Sequence, residues 1–164
     1  MLEGAMIKSF FIPGNVPSSK NGKQWTGRYF IIAKPVQRWV KDVAPYFRAQ
    51  RWAFLEAIKD LEPPYIISFK FLRDSHRKFD YVNPLQTIQD MMTGGFEMCF
   101  SKKDDKEGRT WLPDDNADII IPVFQPYEYN KEDPGVWITV LGGSLLPSEK
   151  KNAGPDPKHK DEDA

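Results

Sequence analysis

Residues 78–90 read KFDYVNPLQTIQD, and the folding of this stretch decides how the chain around it is arranged. Asn followed by Pro is a helix-start signal: Asn83 is a candidate N-cap, and Pro84 lacks an N–H that the first turn leaves unpaired anyway. Gln86, three residues after Asn83, stands where the second partner of a capping box would be. Leu85, Ile88, Met91 and Met92 form an apolar side. At about 100° per residue, Asn83, Gln86, Thr87 and Asp90 fall within an arc of roughly 100° on the opposite side. The spacing predicts a helix with one continuous polar edge, ended by Gly94 and Gly95, with Asp80 just before it and Asp90 near its end.

Upstream, YIISFKFLR (65–73) alternates as a strand does, with Tyr65, Ile67, Phe69 and Phe71 on one face. Before it, Val36, Trp39, Val40, Val43 and Phe47 share a helical stripe from Lys34 onward. Pro45 is expected to kink or split that helix, with AQRWAFLEAIKDL as the second piece and Pro63–Pro64 as its end. MIKSFFI (6–12) reads as a first strand, PGNVPSSKNGK (13–23) as a loop, and QWTGRYFII as one or two short strands. Downstream, residues 96–110 read as a polar excursion, a hairpin or a mobile loop. ADIIIPVF (117–124) and GVWITVL (135–141) read as strands, and Pro122 suggests an edge or a bulge in the first. Strands and helices mix without a regular βαβ rhythm. The expected class is therefore α+β, a small mixed sheet with helices packed on one face.

The 164 residues, 40% hydrophobic, suffice for one ordinary domain, expected over residues 1–147, with 148–164 a disordered charged tail. The N-terminal apolar run is too short for a signal peptide, and no stretch approaches the roughly 18 apolar residues of a membrane span. A soluble, cytoplasmic protein is expected. One cysteine, Cys99, and two distant histidines, His76 and His159, make neither a disulfide framework nor a Cys/His zinc site, so any metal would be held by oxygens. The formal net charge of zero is unevenly divided: residues 1–62 carry ten Lys/Arg against five Asp/Glu, and residues 63–147 carry nine against thirteen. A basic region beside an acidic one suits phosphodiester chemistry, in which cations hold the backbone and carboxylates hold Mg²⁺. Ordinary solvated faces that happen to sort this way are the plain alternative.

WLPDDNAD (111–118) places Asp114, Asp115 and Asp118 just before a strand. Mg²⁺ commonly takes one or two carboxylates together with waters and substrate phosphate. Asp80, Asp90 and Asp115 are the candidate core ligands, with Asp114 and Asp118 secondary. Asp-Asp-Asn after a proline is also ordinary turn chemistry, and Asn83 and Gln86 have purely local capping roles open to them.

Asp80, Asn83 and Asp90, followed by Trp111, Leu112, Asp114 and Asp115, resemble the signature of the RusA-like Holliday junction resolvases. The loop PSSKNGK (17–23) is similar to the proline-, serine- and asparagine-rich loop near the start of that family. What the resemblance implies is Mg²⁺-dependent hydrolysis (Mn²⁺ as a possible substitute) of phosphodiester bonds at four-way DNA junctions by a symmetric homodimer. Such enzymes often sit in prophage recombination regions. At two positions the chain departs from the pattern: Val82 stands where the family usually has a second acid, and Gln86 where it has a lysine. Asp118 is the candidate replacement for the carboxylate, and Lys20 or Lys23 for the positive charge. Lys20, Asn21, Lys23, Arg28, Lys34, Arg38 and Lys41 are the candidate DNA contacts, with simple solubility as the plain alternative for the lysines. His76 is a candidate for proton transfer or an exposed turn residue. Two other functions stay open: a junction- or duplex-binding protein that keeps the fold without cleavage, and an assembly protein that uses its aromatic surface.

Overall fold

A computed structural model describes residues 8–18, 23–28 and 30–144. The expected tail at 148–164, Lys20 and Asn21 lie outside the described residues, as does the side chain of Lys23. Among the described residues no helix is long and apolar enough to cross a membrane.

Among the described residues the class is α+β, with a mixed sheet and two α-helices. In chain order the elements are β1 (Ser9–Pro13), β2 (Lys23–Trp25), β3 (Phe30–Ile32), α1 (Lys34–Ile58), β4 (Tyr65–Arg73), α2 (Val82–Met92), β5 (Ile120–Phe124), β6 (Glu128–Tyr129) and β7 (Gly135–Gly142). The main sheet runs β1-β7-β4-β5, with β6 also paired to β4, and β2 and β3 form a separate antiparallel hairpin. Strand β7 is antiparallel to both β1 and β4, whereas β5 and β6 run parallel to β4. Parallel neighbours need a long crossover, and α2 with the segment after it supplies that crossover between β4 and β5. One βαβ unit is therefore present, although no rhythm of such units is.

Alternation along the strands decides which side is covered. Phe10, Ile12, Ile67, Phe69, Phe71, Val136, Ile138 and Val140 join the core with Val40, Phe47 and Phe54 of α1 and Ile88 and Met91 of α2. The opposite face keeps Trp137, Leu141, Ile121 and Val123 exposed. Helices thus pack on one face only.

Helix α1 differs from expectation. It runs unbroken for 25 residues through Pro45. Pro45 itself is exposed, while Val43, Ala44 and Phe47 beside it are buried. Packing on both sides of the proline holds the two halves in one helix despite the missing amide. The segment 96–110 is not a hairpin either: it contains two short 3₁₀ turns, Glu97–Cys99 and Glu107–Arg109. Gly94, at φ +77°, ends α2 in the left-handed region, and a side chain there would collide with Thr110 and Lys106.

Trp111 ties the end of this excursion to the core. Its ring lies 4.6 Å from Phe54 and 4.9 Å from Phe47, and its Nε1 donates to the Phe47 carbonyl at 2.8 Å. The amides of Trp111 and Leu112 both donate to the Met92 carbonyl at the end of α2. The acidic segment that follows is thereby fixed relative to the helix that carries Asp90.

Candidate functional site

The run Lys78-Phe79-Asp80-Tyr81 alternates polar and aromatic, and the aromatics pack. Phe79 meets Tyr81 at 5.3 Å and Tyr127 at 5.0 Å, edge to face, and Tyr81 lies 5.0 Å from Phe124. The Tyr81 hydroxyl accepts from the Tyr127 amide at 3.0 Å. With its neighbours turned inward, Asp80 is left exposed at the start of α2.

Asp80 lines a cleft of about 780 Å³ together with Asn83, Arg73, His76 and Lys78, closed on one side by residues 15–18. The Arg73 guanidinium sits over the Phe79 ring at 4.3 Å, and its buried Nε has no hydrogen-bond partner among the described residues. His76 stacks on Tyr129 at 4.0 Å. Arg73 and Lys78 were not among the expected DNA contacts. The signal was present in RDSHRKFD, where basic residues crowd immediately before Asp80.

Loop 14–18 is held in place from three sides. The Gly14 amide donates to the Pro134 carbonyl, Asn15 Oδ1 accepts from the Asp74 amide, and Thr87 Oγ1 donates to the Pro17 carbonyl at 2.8 Å. Thr87 is therefore buried, so the polar edge expected for α2 is interrupted there. Thr87→Val is expected to lower stability by about 1–2 kcal/mol through loss of the bond to Pro17, measured by urea unfolding.

The helix start also departs from expectation. Helix α2 begins at Val82, so Asn83 lies within its first turn, and the capping position falls on Tyr81 with no side-chain cap bond. No capping box forms, because the Gln86 amide points elsewhere. Gln86 Nε2 donates to Asp90 Oδ1 at 2.9 Å and to Asp115 Oδ2 at 3.4 Å. This places Asp90, Gln86 and Asp115 together.

Asp80 is not part of that group. From Val82 to Asp90 the helix advances about 12 Å, so Asp80 and Asp90 stand near opposite ends of it. Among the described residues no three His, Cys, Asp or Glu side chains form a group that could hold a metal ion. One ion shared by Asp80, Asp90 and Asp115 does not match this arrangement. A smaller donor set does fit a hard cation. Asp90 and Asp115 direct carboxylate oxygens at one donor group, the Gln86 amide, and two carboxylates are what Mg²⁺ usually takes from a protein.

Asp114 takes the turn role. Its Oδ1 accepts from the Asp115 amide at 2.7 Å and its Oδ2 from the Asn116 side chain at 2.9 Å, while Asn116 Oδ1 accepts from the Asp118 amide. The backbone bond from Asp115, followed by the Asn116 bond, holds the Asp114 carboxyl below its ordinary pKa of 3.8. A depressed folded pKa means that the charged turn is favoured above the ordinary value. The contribution fades only as pH falls through the lowered one. Asp118 is exposed, and its carboxylate makes none of these bonds.

A comparison of the chain with models of known protein families gave no match, and a comparison with curated protein sequences gave none either. The remaining expected contacts, Arg28, Lys34, Arg38 and Lys41, are all exposed. Lys34, Arg38 and Lys41 follow one another at helical spacing on α1. The ion pairs among the described residues are Lys59–Glu56, Lys70–Glu128 and Lys106–Glu97, so none of these four cations is engaged in one.

Proposed function

We propose that the protein is a Mg²⁺-dependent, structure-selective endodeoxyribonuclease that nicks branched DNA such as a four-way junction, as the RusA-like resolvases it resembles do. The observation that carries this reading is the cleft at the start of α2, in which Asp80 shares a wall with Arg73, His76 and Lys78. Cations beside a carboxylate are what a scissile phosphate and its metal require. Asp90 and Asp115, joined through the Gln86 amide, supply hard oxygens for the metal, Asp80 faces the phosphate from the cleft, and Arg73 and Lys78 hold backbone phosphate. Bound Mg²⁺ would polarise the phosphate and lower the pKa of a coordinated water. The open sheet face, with Trp137, Leu141, Ile121 and Val123 exposed, supports self-association into the homodimer that paired nicks need.

A second reading, junction binding without cleavage, is favoured by Gln86. Its neutral amide donates to both Asp90 and Asp115 and stands where the resembled family has a lysine. One assay separates the two: a labelled four-way junction is bound in EDTA and then given Mg²⁺ or Mn²⁺. Nicking on metal addition is the expected result, and binding with no cleavage in either metal would leave the silent binder.

Backbone contact also predicts salt dependence. With six or more cations on phosphates, junction affinity should fall about a thousandfold between 50 and 200 mM salt. Replacing Arg38 or Lys78 by Gln should each reduce the log–log slope by about 0.9, and a flat salt response would point to an ordinary solvated surface.

A further inference from the structure

Residues 97–109 enclose a second pocket of about 470 Å³ that shares no lining residue with the cleft around Asp80. Arg109 lies in its wall. We infer that this pocket binds a single carboxylate joined to an apolar group, with the Arg109 guanidinium as its anchor.

Arg109 is only 1% exposed, and its Nε and Nη1 are buried with no hydrogen-bond partner among the described residues. A guanidinium removed from water without an acceptor is an unfavourable arrangement, because it loses hydration and gains no hydrogen bond in return. The chain has acids nearby but uses them elsewhere. Asp104 Oδ2 accepts from the Ser101 amide at 2.7 Å, and Glu97 is paired with Lys106. Nearby Asp104 and Asp105 act on Arg109 only through space. The guanidinium is instead positioned by an aromatic ring, lying 4.0 Å over Phe100, with Arg48 5.8 Å from the same ring.

The pocket selects the kind of anion. The lining carries Arg109, Lys102 and Lys106 against Glu97 and Asp104, which leaves about one positive charge and suits a monoanion better than a phosphate dianion. Met98, 73% exposed, and Phe100 add an apolar wall beside the charge. The planar fork of arginine matches a carboxylate. A free organic acid and the C-terminal carboxylate of a peptide share this chemistry.

The test uses the full chain, titrated by calorimetry and ¹H–¹⁵N spectra of the Arg Nε–H groups. The probes are N-acetyl-phenylalanine, its uncharged amide, phenyl phosphate and a hexapeptide ending in phenylalanine. Expected are binding of the carboxylates with movement of the Arg109 Nε signal, and binding about tenfold or more weaker for the amide. Arg109→Met should abolish binding without lowering the melting temperature by more than about 2 °C, because it removes an unpaired buried charge. Tighter binding of the peptide than of the amino acid, or the reverse, identifies the source of the carboxylate. Equal affinity for the amide, tighter binding of phenyl phosphate, no binding up to about 10 mM, or unchanged binding by Arg109→Met overturns the inference. Should Arg109→Met fail to fold, the probe series on the wild-type chain and the weaker binding expected of Phe100→Leu decide the matter.

Discussion

Asp115→Asn and Asp90→Asn should each slow Mg²⁺-dependent nicking of a synthetic four-way junction by about a hundredfold or more, while junction binding in EDTA stays the same or tightens. Both substitutions keep shape and remove one negative charge, so they test the carboxylate as a ligand. Asp90 and Asp115 are both only partly buried, so neither change disturbs the core. Asp80→Asn should have a smaller effect, because Asp80 stands apart from the carboxylate pair that would hold the metal. Nicking at the wild-type rate by either of the first two variants would remove that residue from the proposed site.

Trp111→Ala should cost about 3–5 kcal/mol of folding stability, read from the shift in denaturation midpoint. The side chain is 2% exposed and touches Phe10, Phe47 and Phe54, so its removal opens a cavity between α1 and the sheet. Trp111→Phe keeps a ring and loses the bond to the Phe47 carbonyl, and should cost about 1–2 kcal/mol. The Ala variant should also lose more nicking than its folded fraction explains, since Trp111 anchors the segment that carries Asp115. A loss below about 1 kcal/mol for Ala would show that the site collapses without a cavity.

Much of the fold is legible where one face of an element is buried. YIISFKFLR places Ile67, Phe69 and Phe71 on the core face and forms β4 over those nine residues. Val36, Trp39, Val40, Val43 and Phe47 mark the buried stripe of α1, and Pro122 indicates the edge position that β5 occupies. Pro45 misleads, because local backbone chemistry does not record how firmly the flanking residues pack. The two-residue β6 has no pattern long enough to read. For the site, the acidic residues are visible but their grouping is not. Helical rise alone separates Asp80 from Asp90, whereas the link from Gln86 to Asp115 joins positions 29 apart in the chain. The two readings of WLPDDNAD divide between neighbours, Asp114 making the turn and Asp115 facing α2.

Strand β5 ends the sheet with Ile121, Val123 and Phe124 exposed. A bare, sticky margin of this kind invites stacking of chain upon chain into fibrils. Pro122 sits in the middle of that margin with no hydrogen to offer an incoming strand, so zipping stops after a residue or two. The ring that marks where the sheet stops also helps keep it from growing.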